Sequence, residues 1–138
     1  MPKVERAEPD VFKHQADATL TQASAVSGTK YTVLDTTKNV RIISIAALDD
    51  WSVDTTLLEV HVTIDGESFV WQVDPTDNTW YSVRDIDAGA TNLLQTLNAA
   101  SSTNQAFILE GKSVKVEVET TGGTSVSLQC RVKYAKIP

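Results

Sequence analysis

The chain has 138 residues, 41% of them hydrophobic, with one cysteine and a formal net charge of -6 at pH 7. This length and composition indicate a single globular domain and exclude a disordered chain, an intramolecular disulfide and a multi-cysteine metal site. No apolar run reaches the roughly 18–20 residues of a membrane-spanning helix, and the negative charge argues against nucleic acid as a partner.

The first 16 residues are predicted to form an extended arm ahead of a folded domain at 17–138. Acidic and basic side chains balance there without a helical or strand period, and Pro2 and Pro9 discourage a regular element. The segment has no apolar run, so we expect no secretory signal. Such an arm is mobile on its own, and we expect it to contact a neighbouring subunit through Lys3, Arg6, Val11 and Phe12.

Beyond the arm, apolar and polar residues alternate with the period of two that is typical of β-strands. Strands are predicted at 17–23, 31–34, 40–47, 58–64, 68–73, 80–83, 106–109, 113–119 and 125–134. The 40–47 strand carries Ile42, Ile43 and Ile45 on both faces, so it should be central in its sheet. The last strand is predicted to direct one row of side chains into the core, namely Val126, Leu128, Cys130, Val132 and Tyr134.

Short turns join these strands. The segment TGGT at 121–124 and the pair DG at 65–66 are both typical of tight hairpins. Only 91–100, with three leucines at helical spacing, has a helical pattern. Several short antiparallel strands imply an all-β sandwich or barrel whose sheets stack. Jelly-roll and immunoglobulin-like strand orders share these local patterns, so both remain open.

The residue types that catalysis requires are sparse or poorly placed. The histidines are His14 in the arm and His61 on the polar face of a strand, and no serine lies in a G-x-S-x-G elbow. Cys130 alternates with core residues and is expected to be a small buried hydrophobe. We therefore predict no enzymatic activity, no catalytic residue and no cofactor. A small glycosidase with two facing acids, one of raised pKa, is the enzymatic alternative.

Acidic residues concentrate between positions 48 and 98, where ten of them accompany the single base Arg84. Most fall in predicted loops, which favours a solvated face or contact with a basic partner. The segments DPTDN at 74–78 and DID at 85–87 offer the oxygen ligands that Ca²⁺ prefers, but they lack EF-hand spacing. Turn formation is the favoured interpretation of these acids, so no metal site is predicted.

Three aromatic residues in the acidic region, Trp51, Trp80 and Tyr81, are candidate anchors for a ligand or partner. If exposed, such rings stack on sugars or anchor a protein surface. Trp71 lies within a predicted strand and is expected in the core.

Two segments carry a resemblance to a known class of proteins. The segment 27–47, SGTKYTVLDTTKNVRIISIAA, resembles the opening strands of small β-sandwich proteins in tailed-phage particles. The segment 107–137, FILEGKSVKVEVETTGGTSVSLQCRVKYAKI, resembles the closing strands of the same proteins. This resemblance implies a jelly-roll-like fold of about eight strands. It identifies no binding residue, because a fold alone does not carry function.

The resemblance also implies a role. It predicts a non-enzymatic virion structural protein, such as a capsid decoration protein, a head-fibre base or a tail component. Its partners would be other copies of itself, as a homotrimer, and other virion proteins. It would lie at the particle surface after synthesis in the host cytoplasm. The alternatives are a carbohydrate-binding or host-adsorption module, with a glycan as partner, and an oligomeric scaffold domain of cellular origin.

Overall fold

The computed structural model describes residues 15–83, 92–96 and 109–137. Within these residues the chain forms ten β-strands and no helix. The strands are β1 (Gln15–Ala23), β2 (Tyr31–Thr36), β3 (Val40–Val53), β4 (Leu57–Ile64), β5 (Glu67–Val73), β6 (Trp80–Val83), β7 (Asn92–Thr96), β8 (Glu110–Gly111), β9 (Val114–Thr121) and β10 (Thr124–Lys136). The described part of the chain thus offers no helix long and apolar enough to span a membrane.

The strands form two antiparallel sheets that pack face to face. The first has the order β1-β10-β3-β6, with β8 also paired to β3, and the second has the order β2-β9-β4-β5. The pairs are nested along the chain, since β1 pairs with β10, β2 with β9, β3 with β6 and β4 with β5. Nesting of this kind describes an antiparallel ribbon rolled into a jelly roll. The predicted jelly-roll-like sandwich is confirmed, and the immunoglobulin-like order is excluded.

The core lies between the two sheets and is made by alternate residues of each strand. The inward rows of β4 and β9 consist mainly of fully buried valines and leucines, namely Leu58, Val60 and Val62 of β4 and Val114, Val116 and Val118 of β9, and the residues between them face outward. Trp71 and Cys130 are buried as predicted, and burial raises the pKa of the Cys130 thiol to about 12. A thiol this protonated and enclosed acts as a small apolar side chain. As predicted, β3 is central, between β10 and β6.

The strand β10 departs from the predicted alternation at two points. Its register with β3 shifts on both sides of Ser125, between Thr124 and Ser125 and between Ser125 and Ser127, and again between Lys133 and Tyr134. The shift around Ser125 is a bulge that buries Ser125 and leaves Val126 50% exposed, so the predicted core position of Val126 is wrong. The shift between Lys133 and Tyr134 buries Ala135, and Tyr134 is only partly buried.

The segment predicted as a helix at 91–100 forms strand β7 over the residues described. Its backbone pairs in parallel with β6 and antiparallel with β5, so β7 joins the two sheets along one side. The spacing of leucines at 93, 94 and 97 indicates only a local preference for helix. Pairing of this segment with two strands that are distant in the chain outweighs that preference. The helix prediction is therefore wrong for Asn92–Thr96.

Several strand boundaries also differ from those predicted. Strand β1 begins at Gln15, two residues inside the predicted arm, and β3 continues to Val53 through two acids predicted to lie in a loop. Of the strand predicted at 106–109, only Leu109 is described, and it lies just before β8. The Leu109 carbonyl accepts a hydrogen bond from the Ile42 amide at 2.8 Å.

A tight turn lies at 121–124 as predicted, but the predicted hairpin is wrong. Strand β9 pairs with β2 and β4, whereas β10 pairs with β1 and β3, so the turn carries the chain from the second sheet to the first. The turn depends on glycine for two separate reasons. Gly122 has a φ of +83°, which side-chain-bearing residues rarely adopt. A Cβ atom at this position would also collide with the Cβ and Oγ1 atoms of Thr56. Gly66 has a φ of +86°, but a Cβ there meets nothing within 4 Å.

These two glycines allow steric crowding to be separated from backbone strain. Gly122→Ala and Gly66→Ala impose the same left-handed conformation on alanine, but only the first also displaces Thr56. We expect Gly122→Ala to lower the free energy of unfolding by about 1–3 kcal/mol more than Gly66→Ala does. Urea denaturation of both variants measures the difference. Equal losses would show that Thr56 moves aside without cost.

Candidate functional site

The adjacent residues Trp80 and Tyr81 project from opposite faces of β6. Tyr81 is 6% exposed and belongs to the core, where its hydroxyl accepts a hydrogen bond from the Thr76 amide at 2.8 Å. Trp80 is half-buried, and the Arg131 guanidinium carbon lies 4.4 Å from its ring centroid, a cation–π contact. Neither the Trp80 indole nor the Tyr81 phenol is therefore an uncovered ring face on which a sugar could stack.

Trp51 lies near the end of β3 and is also half-buried. Its backbone amide donates to Asp77 Oδ1 at 2.8 Å, and its indole Nε1 is buried without an acceptor among the described residues. Trp51, Trp80 and Tyr81 thus do not converge on one exposed groove. The predicted arm contacts, Lys3, Arg6, Val11 and Phe12, lie outside the described residues.

The acidic segment at 74–78 makes the contacts of a turn. Asn78 has a φ of +54° and donates its amide to the Asp49 carbonyl at 2.9 Å. The Thr79 hydroxyl donates to the Asp77 carbonyl at 3.1 Å. No acid of this segment belongs to a group of three convergent metal-ligand side chains among the described residues. The segment 85–87, also considered for calcium, lies outside those residues.

Asp49 is fully buried within β3, which corrects the prediction that it lies in a polar loop. Its two carboxylate oxygens accept hydrogen bonds of 2.7 Å, one from the Thr55 hydroxyl and one from the Ser125 hydroxyl. Ser125 lies 3.2 Å from the Thr120 hydroxyl, so the network joins β3, β10 and β9. The bulge in β10 is what places Ser125 on this inner side.

Burial raises the pKa of the Asp49 carboxyl, because an ionised group loses its hydration there. Hydrogen bonds from Thr55 and Ser125 lower the pKa in part, whereas the charges of Asp77 and Asp50 raise it further. A raised pKa is a property of a general acid. Asp49 has no exposed surface, however, so it cannot contact a substrate, and its role is to hold strands together.

A different cluster lies on the outward face of the second sheet, where Glu59 and His61 of β4 meet Glu119 of β9. His61 Nε2 lies 3.2 Å from Glu59 Oε1 and 3.0 Å from Glu119 Oε1. The side chains of His61 and Glu59 are each 15% exposed, and that of Glu119 is 13% exposed. Among the described residues this is the one group of three potential metal ligands, all within 4.8 Å of one another.

The register of two neighbouring strands creates this cluster. Glu59 and His61 are alternate residues of one strand, so they share a face, and Glu119 is the direct partner of Glu59 across the sheet. His61 is opposite Glu117, whose carboxylate instead lies 3.7 Å from the Lys115 ammonium. The sequence placed His61 on the polar face of a strand, but it did not identify this cluster. Its one local signal is the spacing Glu-x-His.

Comparison with known proteins gives no family assignment. No protein-family model matches the chain, and no curated protein or solved structure matches it significantly.

The buried carboxyl predicts a specific dependence of stability on pH. Because folding raises the pKa of Asp49 above its ordinary value of 3.8, its contribution to stability is complete below pH 3.8. That contribution is lost as the pH rises through the folded-state pKa. Asp49→Asn keeps the shape and cannot ionise, so it removes this loss. We expect the variant to gain stability relative to the wild type as the pH rises from 3.8.

Denaturant unfolding of both proteins across this pH range measures the effect. Asp54→Asn is the control, since it removes the same formal charge from an exposed position in the following loop. If the two variants differ from the wild type in the same way at every pH, burial of Asp49 has no special consequence.

Proposed function

We propose that this chain is a non-enzymatic structural protein of a tailed-phage particle, which decorates or extends the virion surface through protein–protein contacts. It would act at the particle surface after synthesis in the host cytoplasm. Jelly rolls are a recurrent architecture of viral capsid proteins, which supports the proposal. The resemblance of segments 27–47 and 107–137 to virion proteins supports it as well.

The observation that carries the proposal is the edge of β1 that is unpaired among the described strands. Among the described strands β1 pairs only with β10, along nine residues and without a register shift. Asp17 is the only charged residue in β1, and the strand contains no proline. Edges of this length are usually blocked by charge, bulges or proline, because they otherwise pair with another chain. A partner that adds a strand here would gain backbone hydrogen bonds along the sheet.

The predicted arm continues directly into this edge. Strand β1 begins at Gln15, directly after residues 1–14 in the sequence. An arm in this position supports contact with the subunit that docks on β1. Self-association as a closed ring, with a trimer as our expectation, would multiply several weak contacts into a stable assembly.

The alternative of a carbohydrate-binding module is less well supported, although jelly rolls also occur in lectins. Glycan recognition would require aromatic rings exposed together on one surface. Tyr81 is buried and Trp80 is covered in part by Arg131. The candidate anchors therefore favour a structural role over sugar binding.

Native mass tests self-association directly. We expect light scattering on a sizing column to give about 45 kDa, three times the 15.0 kDa of one chain. A different closed ring would keep the assembly role and correct the number of subunits. A monomer at every concentration would contradict intrinsic self-association. Quenching of tryptophan fluorescence by glycans would then favour the carbohydrate-binding alternative.

Deletion of residues 1–14 separates assembly from folding. This boundary preserves Gln15 and Ala16, which pair with Ala135 and Tyr134. We expect the shortened chain to keep a strand-rich circular dichroism spectrum and cooperative unfolding, but to lose self-association. A second variant keeps the full chain length but replaces the predicted arm contacts, with Lys3→Ala, Arg6→Ala, Val11→Ser and Phe12→Ser. It should lose self-association to the same extent as the deletion, which would show that the side chains and not the length of the arm are required. Loss of cooperative unfolding would instead make the arm part of the domain.

A further inference from the structure

We propose that Glu59, His61 and Glu119 form a binding site for a divalent transition-metal ion of the zinc type. The site lies on the outward face of the second sheet, on the neighbouring strands β4 and β9. It lies in the other sheet from the β1 edge. The inference therefore does not rest on the proposed structural role of the protein.

The first argument is the convergence of two acceptors on one atom. Glu59 Oε1 and Glu119 Oε1 both lie within hydrogen-bond distance of the same ring nitrogen, His61 Nε2. That nitrogen carries at most one hydrogen, which cannot point directly at two oxygens at once. A metal ion among the three atoms would interact with the nitrogen and both carboxylates simultaneously.

The second argument is the spacing of these atoms. Zinc binds histidine nitrogen and carboxylate oxygen at about 2.0–2.2 Å. Ligand atoms around such an ion are therefore roughly 2.9–3.5 Å apart, for angles between octahedral and tetrahedral. The observed separations from Nε2 are 3.2 Å to Glu59 and 3.0 Å to Glu119. The nitrogen and each oxygen already stand at the distance that a shared ion would impose.

The donor types select the class of ion. An imidazole nitrogen suits zinc, copper, nickel and iron, whereas Ca²⁺ and Mg²⁺ prefer an all-oxygen set. Two carboxylates and a neutral imidazole also balance the two positive charges of the ion. Three protein ligands leave a fourth position for water or for a group from outside the chain.

The surroundings hold the three ligands in place. Val60, between Glu59 and His61, and Val118, before Glu119, are fully buried on the inner side of the sheet. These valines fix the register of β4 against β9, so the ligands are positioned on strands rather than on loops. A bound ion would then crosslink two central strands of the sheet, and its effect would appear as stability.

Zinc titration of the tag-free, full-length protein after chelator treatment tests the site. We expect calorimetry to show one Zn²⁺ per chain, and the melting temperature to rise by several degrees in excess Zn²⁺. Co²⁺ in place of Zn²⁺ should give the visible absorption of a site with nitrogen and oxygen ligands. Three separate variants, His61→Gln, Glu119→Gln and Glu59→Gln, each remove one proposed ligand. Each should weaken Zn²⁺ binding at least tenfold.

Two control variants make the result specific. Glu67→Gln removes an exposed acid from β5, the strand next to β4, and His14→Gln removes the other histidine of the chain. Both should bind Zn²⁺ like the wild type, and circular dichroism verifies that every variant is folded. The proposal is overturned if the wild type binds no Zn²⁺, if the three ligand variants bind it unchanged, or if His14→Gln abolishes binding.

Discussion

Burial of two valine rows, one on β4 and one on β9, fixes the pairing on which the second sheet depends. Val60, Val62, Val116 and Val118 have no exposed surface, and a slip of one residue would turn all of them towards solvent. Each fully buried valine contributes on the order of 1.5–3 kcal/mol relative to an exposed one. This cost of slippage sets the register, and the register in turn decides which polar side chains meet on the outer face.

At one end of the first sheet, polar rather than apolar contacts hold neighbouring strands together. Asp49 would be costly to bury without partners, but Thr55 and Ser125 each donate a hydrogen bond to it. Those bonds exist only because β10 bulges and directs Ser125 inward. The bulge and the carboxyl therefore depend on each other. Such a network favours one strand register over others, because any alternative leaves a buried acid unsatisfied.

The surface rather than an internal cleft carries the features of functional interest. Among the described strands one edge of β1 is unpaired, and the outer face of β4 and β9 carries three potential metal-ligand side chains. The aromatic residues contribute mainly to packing, as the buried Trp71 and Tyr81 illustrate. This distribution suits a scaffold that presents its edges and faces to partners, which is the role proposed for this chain.

Local alternation and turn residues in the sequence were sufficient to predict the all-β class, the central position of β3, the hairpin at 65–66 and the burial of Trp71 and Cys130. These features depend on a period of two residues and on turn chemistry, which neighbouring residues determine. The tertiary structure alone decided the strand at Asn92–Thr96, the exposure of Val126, the burial of Asp49 and the meeting of His61 with Glu119. Each of these depends on pairing between strands that are distant in the chain, and pairing register is not encoded within any one segment.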